Sequence, residues 1–292
     1  MEKVLRVKNL KKTFYVGFWR KPKKVLHNIS FDLTAGVMTG FLGINGTGKT
    51  TTIKSVLELI YPDAGEVTFF DNLPLSNEVK QKIAYLPEKP QLYDHLTGEE
   101  FLEFSANLSG KKFDKPISYY IDEVLDLVEL KEAKEFRLRE YSKGMYQRMG
   151  LAQAILRDPK LMILDEPMSD LDPAGRTLVK DILRKIQIEK KVSIFISSHL
   201  LQDIETLCKE IVILSKGEVK YTGSTMEFVN KLNPRFEIFY SQQKSPIQSV
   251  ITESEDDLQA KIDSLRNQKS NIVAIQNQKS LEEAFKNFIE GF

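Results

Sequence analysis

The sequence predicts an α/β fold built on a parallel sheet, and three features predict it. Two short runs, Leu161-Met162-Ile163-Leu164 and Val192-Ser193-Ile194-Phe195-Ile196, are almost continuously apolar, as strands covered on both faces are. A helical segment lies between them, and strands alternating with helices build a parallel sheet. A glycine-rich turn at residues 43 to 50 joins a third apolar run, Val37 to Leu42, to a further helical segment beginning at Thr50.

Length and composition bound the rest. At 292 residues with 41% hydrophobic content, one large domain plus a small one is expected. Lysine and arginine total 42 against 41 acidic residues, a net charge of +1, so no global attraction to nucleic acid or anionic lipid exists and polyanion binding must be local. The longest apolar runs, such as residues 161 to 164 and 211 to 214, fall far short of the roughly 18 residues that cross a bilayer. Met1-Glu2-Lys3-Val4-Leu5-Arg6 lacks the apolar core of a secretory signal, so a cytoplasmic location is expected. Cys208 is the sole cysteine, which excludes a disulfide framework or a cysteine metal site. Its spacing with Leu200, Ile204 and Leu207 reads as a small buried hydrophobe.

The elements follow in order. Leu5 and Val7, then Ile29, Phe31 and Leu33, alternate with polar neighbours, which predicts a half-exposed, antiparallel β subdomain at the N-terminus. Tyr15 to Lys24, Tyr-Val-Gly-Phe-Trp-Arg-Lys-Pro-Lys-Lys, reads as a solvated aromatic and basic loop, which lipid head groups or a partner's acidic loop could bind. From residue 97 to 157 the pattern is helical: Thr97 and Glu100 have capping-box spacing, and Phe101, Leu102, Phe104 and Leu108, then Ile117, Ile121, Val124, Leu125 and Val128, repeat at helical intervals. This is a helical insertion spanning about residues 90 to 157. After the hairpin-like Ser215-Lys216-Gly217-Glu218 and a short helix, a boundary is expected at Asn233-Pro234. The main domain is thus residues 1 to 230. Residues 231 to 292 form a small α+β accessory domain, with a strand at Phe236, Ile238 and Tyr240, a helix through Leu258, Ile262 and Leu265, a strand near Ile272 to Ile275, and a last helix opened by Ser280 and Glu283.

The turn carries the first chemistry. Gly43-Ile44-Asn45-Gly46-Thr47-Gly48-Lys49-Thr50 fits the phosphate-loop template G-x-x-x-x-G-K-S/T in full, between a strand and a helix. Gly43, Gly46 and Gly48 let backbone N–H groups approach phosphate oxygens, and the helix N-terminus at Thr50 and Thr51 adds partial positive charge. Lys49 reaches the β and γ phosphates, and the Thr50 hydroxyl is placed to ligate a bridging magnesium ion. Strand 161 to 164 ends in Asp165-Glu166-Pro167, two carboxylates at the edge where doubly wound folds bind ligands. Asp165 would hold magnesium through water, and Glu166 would orient or deprotonate the attacking water. The next strand ends in Ser197-Ser198-His199, where the imidazole could donate to a γ-phosphate oxygen. His27 and His95 lack matching partners and read as structural or surface residues.

Phosphate loops serve kinases, GTPases, helicases and transporters alike. The deciding segment is Tyr141-Ser142-Lys143-Gly144-Met145, before the helix of residues 146 to 156, with Ser142 placed 23 residues before Asp165. By itself Ser142 reads as an ordinary helix cap. Together the four sites resemble the ATP-binding cassette family, over about residues 4 to 225. The resemblance implies a phosphate-loop NTPase core in which Ser142, Lys143 and Gly144 form the signature, an anion-binding helix N-terminus. Phe14 falls where the family stacks an aromatic ring on adenine, although it reads equally as a strand-end core residue. Leu86-Pro87-Glu88 occupies the place of the Q-loop, with glutamate where glutamine is more usual; Glu88 has an oxygen able to approach magnesium. Ser169-Asp170-Leu171-Asp172-Pro173 matches the D-loop, with Asp170 where glycine often stands, and His199 matches the switch histidine. Lys143 and Met145 depart from the familiar signature. That variant, with Glu88 and the terminal Ser280-Leu281-Glu282-Glu283-Ala284-Phe285, looks like the ATPase subunits of exporters for drugs, lipids, ions or polysaccharides.

The resemblance further implies an ATPase using ATP and Mg2+, in which two copies meet head to tail as a homodimer docked on integral membrane permease subunits. The chain would be peripheral on the cytoplasmic face, its membrane contact indirect, with no nucleic-acid partner. A soluble ATPase of the same family acting on nucleic acid or ribosomes is the alternative; balanced charge and a single cassette weigh against it. A small-molecule kinase is a further alternative, against which residues 141 to 145 weigh.

Overall fold

The computed structural model describes residues 2–230, 236–242, 246–252, 254–277 and 280–290; the boundary expected at Asn233-Pro234 lies outside them. Two compact units result, Met1–Thr222 and Gly223–Phe292.

In the first unit, strands β1 (Lys3–Val16) and β2 (Lys21–Thr34) form a long antiparallel hairpin. Strand β3 (Met38–Leu42) runs into the phosphate loop and helix α1 (Lys49–Val56). Strand β4 (Ala64–Phe69) pairs with β1 on its other side, and helix α2 (Asn77–Gln81) leads to β5 (Ile83–Leu86). Three helices follow, α3 (Gly98–Leu108), α4 (Ile117–Leu127) and α5 (Lys143–Leu156). Then come β6 (Leu161–Asp165), α6 (Pro173–Lys190), β7 (Ser193–Ser197), α7 (Leu201–Leu207), β8 (Glu210–Ser215) and β9 (Glu218–Ser224).

The nine strands make one sheet in the order β4-β1-β2-β9-β8-β3-β7-β6-β5. Strands β8, β3, β7, β6 and β5 are mutually parallel, and every residue of β3, β6 and β7 is buried, as their unbroken apolar runs require. The two halves share a core. Phe31 of β2 stacks on Phe195 of β7 at 5.5 Å between ring centroids, and Phe41 of β3 lies 5.0 Å from Phe195. The apolar face of the antiparallel ribbon therefore closes over the parallel strands that carry the loop ends.

Residues 15 to 24 form more strand than loop. Tyr15 pairs with Pro22 and Val16 with Lys21, which leaves a turn of residues 17 to 20, closed by the Arg20 N–H donating to the Gly17 carbonyl at 3.1 Å. A two-stranded ribbon open on both faces has no reason to alternate apolar with polar residues, so periodicity is silent about it.

The helical insertion begins at a reciprocal cap. The Thr97 hydroxyl accepts from the Glu100 N–H at 3.2 Å, while the Glu100 carboxylate accepts from the Thr97 N–H at 2.9 Å. Helix α5 returns to the sheet at Gly150, where a Cβ would lie 2.8 Å from Leu86 and 3.0 Å from Pro90. The helix that starts at Ser142 thus packs directly on the strand and loop that carry Glu88.

The second unit holds α8 (Thr225–Asn230), β10 (Phe236–Ser241), β11 (Gln248–Thr252), α9 (Glu255–Asn267), β12 (Asn271–Asn277) and α10 (Leu281–Glu290). Its antiparallel sheet runs β11-β10-β12, with Ile238, Ile262 and Leu265 as its buried centre. The Ser280 hydroxyl caps α10 by accepting from the Glu283 N–H. Helix α8 falls in this unit, since the Phe228 ring lies 5.2 Å from Phe288. No helix among the described residues is long and apolar enough to cross a membrane.

Candidate ATP site

The phosphate loop is held by its own backbone. The Thr47 N–H and hydroxyl both donate to the Ile44 carbonyl, at 3.2 and 2.8 Å, and α1 starts from Gly48 in the left-handed region, φ 109°. A Cβ at Gly48 would also meet Leu26 at 2.9 Å, and one at Gly43 would lie 2.6 Å from both the Leu214 carbonyl oxygen and the Thr47 hydroxyl. Any side chain at either position would distort the loop or fill its surroundings. Lys49 is 7% exposed, and its ammonium donates to the Gly43 carbonyl at 2.6 Å. Burial holds its pKa below the usual lysine value, with Glu166, Asp165 and Glu88 pulling the other way.

Beside the loop lies a cleft of about 500 Å³, lined by Asn45, Gly46, Gly48, Lys49, Thr50 and Thr51, with Glu88, Glu166, Ser169 and His199 opposite, and Lys23 and Val25 from β2. The sheet explains the convergence. Parallel strands β3, β6 and β7 all end at this edge, so residues far apart in sequence arrive together.

Ser197, the last residue of β7, ties the Asp165 carboxylate to the backbone of Glu166. Its hydroxyl donates to Asp165 at 2.6 Å and accepts from the Glu166 N–H at 2.9 Å. Asp165 is 1% exposed, and its second carboxylate oxygen is buried without a hydrogen-bond partner. A hydrated cation would satisfy such an oxygen, so Asp165 and the Thr50 hydroxyl fit a magnesium ion that arrives with a triphosphate. The Tyr85 hydroxyl is also buried and unpartnered, and burial together with Asp165 and Glu88 pushes its pKa up. Glu166 adopts a left-handed backbone, φ 51°, uncommon for a non-glycine residue and of the kind found at functional turns. Its carboxylate, 12% exposed, contacts His199 Nδ1 at 2.7 Å and accepts from the His199 N–H at 3.2 Å.

Replacing Ser197 by alanine should strip the buried Asp165 of its donor, at a cost of about 1–3 kcal/mol. A urea midpoint lowered with unchanged slope is the expected result; an unaltered midpoint would make the Ser197 bridge dispensable.

The remaining positions divide. Asp170 sits in the left-handed region, φ 60°, where an aspartate substitutes for glycine at modest cost. Asp172 caps α6 by accepting from the Gly175 N–H at 2.8 Å. Phe14 is half-buried and does not line the cleft; its cross-strand partner Lys23 does, and Lys12 stands 5.6 Å from its ring. Ser142 caps α5 by accepting from the Met145 N–H at 3.3 Å. Lys143 lines an adjoining cavity of about 380 Å³ with Tyr141, Tyr146, Gln147 and Asp170, and this cavity shares Glu88 and Ser169 with the phosphate cleft. Among the described residues lining the phosphate cleft, none comes from 142 to 144. Gln147 does reach the carboxylate loop, its side-chain amide donating to the Pro167 carbonyl at 3.3 Å. A larger cleft of about 590 Å³ lies between the helical insertion and α6, around Lys111, Tyr120 and Lys190, away from all of these groups.

Sequence reasoning missed Ser197, Tyr85 and Lys23. Ser197 could be read only as a polar residue ending an apolar strand, the same position logic that singles out Asp165.

A family model described as ABC transporter matches residues 26–169. The chain is 42% identical over 236 residues to an uncharacterised ABC transporter ATP-binding protein of Nostoc sp., spanning 79% of this chain and 69% of that protein. It is 36% identical over 199 residues to the bacitracin transport ATP-binding protein of Bacillus licheniformis, spanning 68% of this chain and 64% of that one. A solved ATP-binding subunit of an ABC transporter superposes with a TM-score of 0.68 at 29% identity, over 78% of this chain and 92% of that one. A dimeric ATP-binding cassette in a post-hydrolysis state bound to ADP and Pi shares the fold, with a TM-score of 0.68 at 22% identity, over 75% of this chain and 98% of that one.

Proposed function

This chain belongs to the ABC transporter family, and we propose that two copies of it close head to tail on ATP, each site taking the phosphate loop of one copy and the Ser142 turn of the other. The chain is an ATP-binding, ATP-hydrolysing subunit that powers transport through separate membrane subunits. One observation carries the dimer reading: the cleft that gathers Lys49, Glu166 and His199 contains nothing from residues 142 to 144. A second copy would bring a helix N-terminus, with free N–H groups and partial positive charge, to the open side of the triphosphate.

Within each site the backbone from Gly43 to Thr51 and the Lys49 ammonium hold the phosphates. Thr50 and Asp165, with Glu88 at the cleft wall, would hold magnesium, which neutralises charge on the β and γ phosphates when bound. Glu166 orients the attacking water and accepts its proton. His199, with Nδ1 engaged by Glu166, keeps that carboxylate in place and leaves Nε2 for a γ-phosphate oxygen. Phe14, one cross-strand step from Lys23, would receive the adenine as a stacking partner. The contacts of α5 with Pro167, Leu86 and Pro90 support passage of the closing motion from the site through the helical insertion to a permease. The signature variant at Lys143 and Met145, with Glu88, supports an exporter, and the reading places the chain on the cytoplasmic membrane face.

The test is ATP turnover per chain as protein concentration rises. A shared site predicts turnover that climbs and then saturates as dimers form; turnover independent of concentration down to high dilution contradicts it.

A further inference from the structure

We infer that the tip of the β1–β2 hairpin is a membrane-interface anchor, which seats Phe18 and Trp19 among the head groups of an anionic bilayer. Phe18 is 93% exposed and Trp19 80%, and the two rings stand edge to face at 5.5 Å. Tyr15 and Val16 beside them are exposed as well. Single apolar side chains on a surface are ordinary, but four exposed within five residues at a projecting tip, two of them in ring contact, concentrate apolar surface that water alone does not favour.

The charge around this patch selects its partner. Between Lys3 and Phe31 the sequence has nine lysines and arginines and no acidic residue, although the whole chain carries only +1. Lower in the ribbon, Arg6 and Lys12 are neutralised by Asp32 and Asp63. Near the tip, Arg20, Lys21, Lys23 and Lys24 make no ion pair among the described residues, and Arg20 lies 5.7 Å from the Tyr15 ring. Aromatic rings with one wet edge settle at head-group depth, and flanking cations meet lipid phosphates. An acidic protein surface would match the cations but would leave two rings unburied, whereas an anionic interface satisfies both.

The geometry allows reach without disturbing catalysis. Lys23 lines the ATP cleft opposite Phe14, and beyond that pair come two more pairs and the turn, so the tip projects roughly 10 Å past the cleft at strand rise. The anchor departs from a wholly indirect membrane contact. It depends on neither dimerisation nor a permease, so its failure and theirs are separate results.

Trp19 is the only tryptophan in the chain, and its emission therefore reports the tip directly. The full chain is mixed with vesicles of phosphatidylcholine, alone or blended with phosphatidylglycerol. The inference expects a blue shift and co-sedimentation with the anionic vesicles only, weakening as salt rises. Each cation at the surface contributes about fivefold to binding, so Arg20→Glu with Lys21→Glu should reduce vesicle binding by at least about 25-fold. Phe18→Ser with Trp19→Ser should abolish sedimentation and leave ATP turnover unchanged. Unshifted emission with anionic vesicles, or binding that the tip variants leave intact, overturns the inference. Tip variants that lose a permease partner but keep vesicle binding would assign the hairpin to a protein surface instead.

Discussion

Glu166→Gln should lower ATP turnover by about a hundred- to ten-thousandfold while leaving ATP binding nearly intact. Glutamine keeps the volume of the side chain and an oxygen that still accepts the His199 N–H, now 3.2 Å from the carboxylate. What it loses is the capacity to take a proton from water, a contribution of about that size in general base catalysis. Folding should be untouched, because the left-handed backbone at φ 51° strains glutamine no more than glutamate. Phosphate release and nucleotide binding, measured on the same preparation, separate the two effects. A loss in turnover of less than tenfold would remove Glu166 from the chemistry and leave it a structural partner of His199.

Lys49→Met should weaken ATP binding by about 1.5 to 3 kcal/mol, or about ten- to a hundredfold, the range for hydrogen bonds to charged groups. Methionine preserves an unbranched apolar stem and removes the ammonium. The folded protein keeps this cation largely buried, with its pKa held down by that burial. A lysine whose pKa falls on folding destabilises the native state at any pH below its unfolded value. The thermal midpoint without nucleotide should therefore stay level or rise in the variant, while the extra stability that ATP confers on the native chain largely disappears. Equal stabilisation of both proteins by ATP would place the triphosphate elsewhere.

Some of this was legible in the sequence, for physical reasons that differ by element. The phosphate loop is a local motif, with its geometry set by glycines at fixed spacing and its context by the two flanking segments. Asp165, Glu166 and His199 could be found because buried parallel strands write themselves as unbroken apolar runs, and their C-terminal ends meet at one edge of the sheet. The composition of Tyr15 to Lys24 was plain, but its strand pairing was not, because the segment satisfies no burial pattern and its two strands are held by each other. Ser197 binds partners 31 and 32 residues away, and no spacing rule reaches that far. Strand β11, with one buried residue in five, offers almost no period to read. The Ser142 turn belongs to a category apart, since the role proposed for it in the site requires a second copy of the chain.

The central claim is that ATP is gripped between two copies of this chain. Sedimentation velocity of the Glu166→Gln protein with saturating Mg-ATP tests it most directly, because slowed hydrolysis would hold the closed state long enough to observe. The account predicts a species of twice the 33.5 kDa chain mass, reverting to monomer without nucleotide, and no dimer when Ser142→Arg is added although ATP still binds. A monomer at saturating ATP, or a dimer indifferent to Ser142→Arg, would contradict it.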